Sequence, residues 1–259
     1  MNPTFDFTDL LGHLDDRSAA FRATVDAAPD IDVPVPSCPE WTLFDLAAHL
    51  GGGDRYWAEL VATGPADAPS DAAVAARTAV PAPRDREALV AWLDDSTRLL
   101  VDVLQTAGPD RGCWAWYGFQ SPHTSASVAR HRLQETTVHT YDAQLSWGVE
   151  AALPADVALD GVEEFLFSCV STTSPWPHHP ATFDLRTSSG HGWRLEVDGD
   201  GARSIRLDAA APEVSASVGV TGTASDLVLY LYDRLPADAL QVTGEAGLLD
   251  LLRAWEPED

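Results

Sequence analysis

The chain has 259 residues, a formal net charge of -24 and no lysine at all, its sixteen cations all being arginine. Such acidity works against clustered phosphate contacts and against anionic bilayer surfaces, so neither nucleic acid nor membrane is an expected partner. Cys38, Cys113 and Cys169 are widely spaced with no CxxC pair, and the first residues lack a basic and an apolar signal region, which together fit a reducing cytoplasm.

In chain order, apolar positions Leu10, Leu11, Leu14, Phe21 and Val25 predict a helix over residues 6–27. Residues 30–39 hold three prolines and read as a structured loop. Thr42 is a good N-cap, with Asp45 in the first turn of a second helix running through His49 toward Leu60. Gly51, Gly52 and Gly53 weaken that helix by about 1 kcal/mol each relative to alanine. They predict a kink, or close approach of another backbone or a ligand. Residues 64–83 read as a long surface connection, followed by a third helix from Asp85 to Thr106. An aromatic loop, Cys113 to Phe119, leads into a fourth helix from Ser125 to Trp147.

The second part changes character. A short helix at Val157–Ser168 precedes strand-like stretches at Ala181–Thr187, Trp193–Val197, Ser204–Leu207 and Val214–Gly219. Helices at Ala224–Asp233 and Glu245–Trp255 close the chain. The expected architecture is therefore two domains, a four-helix bundle over residues 1–150 and a small α+β domain over 151–259.

The chemistry concentrates in the run Arg130-His-Arg-Leu-Gln-Glu-Thr-Thr-Val-His-Thr-Tyr-Asp142. On a helix, Glu135 and His139 are one turn apart on one face. His49, set among Leu46, Ala47, Ala48 and Leu50, is a third donor on a partly buried face. Buried imidazoles and carboxylates need partners, and one cation satisfies all three. Three N/O ligands leave a position open, as in catalytic zinc sites. His131 extends the ladder, but each step of four turns about 40° around the helix, so it is expected as a pocket wall or catalytic residue behind the ligands. Asp142, one turn beyond His139, is placed to orient its imidazole.

These residues also carry a resemblance. Pro36-Ser-Cys-Pro-Glu-Trp-Thr-Leu-Phe-Asp-Leu-Ala-Ala-His-Leu-Gly51, followed by Trp57, resembles the N-terminal signature of mycothiol-dependent maleylpyruvate isomerase-like proteins, members of the DinB-like superfamily. The segment Arg132 to Ala143 resembles the second signature, although Gln134 stands where many relatives have histidine. Gly222 to Arg234 and Val242-Thr-Gly-Glu245 resemble the appended sterol-carrier-like α+β domain. The resemblance implies a DinB-like bundle with His49, Glu135 and His139 as ligands of zinc or another divalent metal. It also implies mycothiol, the small thiol of actinobacteria, as cofactor; a Lys-free, arginine-rich composition of GC-rich type suits that origin.

The implied activity is a metal-activated thiolate adding to a small electrophile, with cis–trans isomerisation as the outcome. Rival outcomes are an S-transferase of detoxification or secondary metabolism, a metal-dependent hydrolase, or a non-catalytic metal-binding module. A diacid substrate needs cations, and Arg55, Arg130, Arg132 and Arg234 are the candidates. Trp57 and Trp116 are candidate pocket aromatics. The expected partners are a thiol and a small electrophile, and the expected state is a monomer or small homo-oligomer.

Overall fold

The computed structural model describes residues 5–208 and 216–257. The chain falls into two units, Met1–Trp116 with His123–Leu153, and Tyr117–Pro122 with Pro154–Asp259. The first is helical and the second is built on a sheet, as the sequence pattern predicts.

In the first unit, α1 (Phe7–Ala27), α2 (Leu43–Thr63), α4 (Arg86–Ala107) and α5 (Ser125–Leu145) are the long helices. Local chemistry starts them where expected: Asp6 caps α1, Asp85 caps α4, and Thr42 with Asp45 closes a capping box on α2. Two segments read as loops are more ordered than that. Residues 30–42 contain a short hairpin, β1 (Pro34–Val35) with β2 (Cys38–Thr42), and the connection after α2 contains α3 (Asp71–Ala79). Ser70 caps α3, a signal masked by the surrounding alanines and prolines.

Helix α1 packs along α5 and α2 along α4. The core joins Phe21 and Val25 of α1, Leu43, Leu46 and Leu50 of α2, and Leu89, Trp92 and Leu93 of α4. Helix α5 is buried on nearly every side, which explains why it shows no clean polar face. Its polar residues are satisfied internally: Thr137 donates to the Leu133 carbonyl and Thr140 to that of Thr136, both at 2.7 Å. Cys113 is also buried, and burial, only partly opposed by Arg111, pushes its thiol up to about 11, in keeping with a structural residue.

Helix α2 runs unbroken through the triple glycine. Each glycine instead admits a close neighbour. A Cβ at Gly51 would stand 2.2 Å from the Trp92 ring, one at Gly52 2.7 Å from the Arg77 carbonyl oxygen, and one at Gly53 2.9 Å from the Arg132 guanidinium. Trp92 cannot yield freely, because its indole N–H donates to the Val80 carbonyl at 3.0 Å. Gly51→Ala is therefore expected to destabilise the fold by about 1–3 kcal/mol through overpacking. The roughly 1 kcal/mol gained in helix propensity offsets part of that loss. Urea denaturation measures it, and a more stable variant would contradict the packing account.

In the second unit a five-stranded sheet has the order β5-β4-β3-β6-β7, made of β3 (Ala181–Thr187), β4 (Gly192–Asp198), β5 (Gly201–Arg206), β6 (Val218–Gly222) and β7 (Gln241–Gly244). Strands β3, β4 and β5 form an antiparallel meander, β6 runs parallel to β3, and β7 is antiparallel to β6. Asp184 of β3 lies opposite Arg194 of β4, and the two make a two-pronged ion pair at 2.6 and 3.0 Å. The strand expected from Val214 begins at Val218, and residues 209–215 lie outside the described part. Helices α6 (Ala155–Glu164), α7 (Ala224–Leu231) and α8 (Gly247–Ala254) accompany the sheet, and α6 continues into a π-helical turn, Phe165–Cys169. Tyr117–Pro122 belongs here because Gln120 pairs like a strand with Ser204, accepting from its N–H at 2.6 Å and donating to its carbonyl at 2.8 Å. Among the described residues, no helix is long and apolar enough to cross a membrane.

Candidate metal centre

His49 reaches the centre from the middle of α2, and Glu135 and His139 from successive turns of α5. One donor atom from each lies within 4.8 Å of the others. His49 Nε2 is 3.0 Å from Glu135 Oε1, and the His49 and His139 rings meet edge-on with centroids 5.3 Å apart. All three side chains are mostly buried but reach solvent, at 26%, 20% and 12% exposure in chain order.

Asp142 is fully buried and takes up the orienting position: its Oδ2 lies 2.8 Å from His139 Nδ1. Its other oxygen accepts from the Ser37 hydroxyl at 2.5 Å. A hydrogen bond at Nδ1 fixes the ring and leaves Nε2 as the lone-pair nitrogen, which is how carboxylate–histidine pairs serve a metal. Ser37 lies in the turn of the hairpin. Trp41, on β2, stacks obliquely on the His49 ring at 4.8 Å. Both residues fall within the signature that carries the resemblance, but no spacing pattern marks either as part of the centre.

Only 7% exposed, His131 has its Nε2 3.6 Å from Glu135 Oε2 and its ring between Trp57 at 5.9 Å and Trp116 at 5.1 Å. It thus forms a wall of the centre, with Trp57 buried and Trp116 46% exposed. Burial alone would raise the Glu135 carboxyl. The Arg132 charge, the His49 hydrogen bond and the neighbouring His131 and His139 outweigh it and hold that carboxyl well below the usual range.

The candidate carboxylate-binding arginines separate. Arg132 is not on a cleft: its side chain is 1% exposed and turns inward to Asp54 and Glu135. Residue spacing could not show this, because the partner is 78 positions away. Arg55 donates to Ser96 at 2.9 Å and lies over the Trp92 ring, held against α4. In the second unit Arg234 donates to the Tyr232 carbonyl at 2.6 Å.

The donor set suits a divalent ion: two neutral imidazole nitrogens, one carboxylate oxygen and a fixed tautomer at His139. The orienting contact makes a prediction. Asp142→Asn is expected to weaken metal binding about 10- to 100-fold, since it replaces the oriented carboxylate by an amide. Ser37→Ala should have a smaller effect in the same direction. Competition titration with a chromogenic chelator measures both, and unchanged affinity in Asp142→Asn would remove Asp142 from the centre.

The profile of the mycothiol maleylpyruvate isomerase N-terminal domain matches residues 11–144, and that of the corresponding C-terminal domain matches residues 156–251. The chain belongs to the mycothiol maleylpyruvate isomerase family. Two uncharacterised proteins of Mycobacterium tuberculosis, Rv0036c of strain H37Rv and MT0041 of strain CDC 1551, are each 32% identical over 227 residues, covering 81% of this chain and 78% of theirs. Two crystal structures of a mycothiol-dependent maleylpyruvate isomerase, one of them a point mutant, share the fold. Their TM-scores are 0.57 and 0.59 at 13% and 14% identity, with 95% of this chain and 97% of each of theirs covered. At that identity the likeness is one of fold.

Proposed function

We propose that the protein is a metal- and mycothiol-dependent enzyme that uses a thiolate to isomerise a small cis-unsaturated acid. The observation that carries this reading is the convergence of His49, Glu135 and His139 on one point, with His139 oriented by Asp142, in a chain of this family. A divalent ion held there would keep a bound thiol as thiolate near neutral pH and polarise a carbonyl oxygen.

The residues of the chain divide the remaining work. His49, Glu135 and His139 hold the ion; Asp142 and Ser37 fix the His139 ring; Trp41 covers one side of His49 and restricts water. His131 stands between Trp57 and Trp116 with a nitrogen facing Glu135, where it can hold or release a proton beside the reacting groups. A thiol held beside these residues would supply a nucleophile able to add reversibly to the alkene of a conjugated cis acid, which would permit rotation to trans with no net redox change and no consumption of thiol.

If a different group leaves after addition, the same arrangement gives an S-transferase. The test separates the two. Purified protein is loaded with Co²⁺ or Zn²⁺, and mycothiol is added. A thiolate-to-cobalt charge-transfer band supports the thiol at the open position. Thiol recovered unchanged while a cis-dioxo acid becomes trans supports the isomerase, and thiol consumed one for one supports transfer. Turnover indifferent to thiol sinks both and leaves hydrolysis. The same reading expects a cytoplasmic enzyme, where mycothiol is available.

A further inference from the structure

A buried ion pair adjoins the three donors, and the mechanism above makes no use of it. Arg132 leaves α5 one turn before Glu135. Its Nε and Nη2 donate to Asp54 Oδ1 at 3.1 and 2.9 Å, Nη2 also donates to the Leu50 carbonyl at 3.2 Å, and Nη1 donates to Glu135 Oε2. Asp54 is anchored in turn by the Thr97 hydroxyl, which donates to its Oδ2 at 3.1 Å. Gly53 supplies the room, since a Cβ there would stand 2.9 Å from Nη1. One stretch of α2 thus offers a carbonyl, a missing side chain and a carboxylate in succession. That surface matches a planar guanidinium, and a lysine ammonium could not span Asp54 and Glu135 together.

The consequence falls on Glu135, whose two oxygens are made unequal. Oε2 is engaged by the guanidinium, while Oε1 faces His49 Nε2 at 3.0 Å. A free glutamate can approach a cation through both oxygens, whereas one tied at Oε2 presents Oε1 alone. We propose that Asp54 and Arg132, seated on Gly53, are positioning residues that make Glu135 a one-oxygen ligand and so preserve the open place at the ion for the thiol. This rests on the metal reading above. It assigns Gly53 and Asp54 to control of the centre in addition to joining two helices.

The experiment compares the Co²⁺-loaded full chain with Arg132→Lys, Asp54→Asn and Gly53→Ala. Far-UV circular dichroism checks the fold, and the readouts are Co²⁺ affinity and the visible d–d spectrum. Release of Oε2 is expected to lower the d–d intensity, as coordination number rises, and to change affinity about 10- to 100-fold. Arg132→Lys should show the largest change. Gly53→Ala, which only displaces the guanidinium, should move the spectrum in the same direction; if Arg132→Lys does not fold, it and Asp54→Asn decide the matter. Wild type that binds Co²⁺, with variants of unchanged spectrum and merely lower melting temperature, overturns this inference alone. Wild type that takes up no Co²⁺ overturns the metal reading and this inference with it.

Discussion

Glu135→Ala is expected to abolish stoichiometric metal binding while leaving the helical fold intact. The carboxylate is the anionic member of the donor set, and its loss leaves two neutral imidazoles on different helices to hold a dication. His49→Ala and His139→Ala should also lose metal, each removing one of three converging donors. The fold survives because the residues carrying the core, such as Leu46 and Leu50 on α2 and Leu133 and Val138 on α5, are untouched. His131→Ala is the discriminating control. Its Nε2 is 3.6 Å from the Glu135 oxygen that Arg132 already occupies, so the variant should bind metal nearly normally. Elemental analysis after desalting reads all four. Retention of one metal per chain by the three ligand variants would mean that the centre lies elsewhere, and loss in His131→Ala equal to that in His139→Ala would make His131 a ligand.

The candidate trio that the structure brings together was legible in the sequence for a physical reason. A four-residue step places Glu135 and His139 on one face of a helix whatever the rest of the fold does, and His49 stands alone among apolar neighbours. The helices themselves announce their starts through Asp6, Thr42 and Asp85, whose side chains bind backbone N–H groups within three residues. What joins distant segments left no such trace. Ser37 reaches Asp142 across 105 positions and Arg132 reaches Asp54 across 78. No periodicity encodes either contact. The hairpin at 34–42 was missed because proline and short length hide strand character, and α3 because alanine-rich composition reads equally as linker. The glycine run carried a readable signal, close approach, but not the identity of what approaches: an indole, a backbone carbonyl and a guanidinium. The arginines show the limit most sharply. Arg132 and Arg55 have the same chemistry, yet one is sealed inside the bundle and the other lies against α4.

Arg132→Met should cost about 3–5 kcal/mol of stability, because it leaves a buried carboxylate at Asp54 with its cation removed. The methionine fills much of the arginine stem's volume, so the loss reports the charge more than a cavity. Burial already pushes the Asp54 carboxyl up, against the pull of Arg132 and Thr97. Without Arg132 the opposing charge is gone, so the carboxyl rises further in the variant. The sign of the pH effect follows. A carboxyl with a folded-state pKa above its unfolded value binds more protons folded than unfolded in the window between the two, so unfolding releases protons and stability increases as pH falls through that window. The penalty of Arg132→Met should therefore shrink on moving from neutral toward acid pH, opposite in direction to ordinary acid destabilisation. Adding Asp54→Asn removes the stranded charge altogether, and the double variant should be more stable than Arg132→Met alone at pH 7. Urea denaturation at several pH values, arranged as a double-mutant cycle, measures the coupling directly. Additive losses with no pH dependence would show that the pair contributes packing alone, whereas strong coupling would show that α2 and α5 are held at the centre by charge.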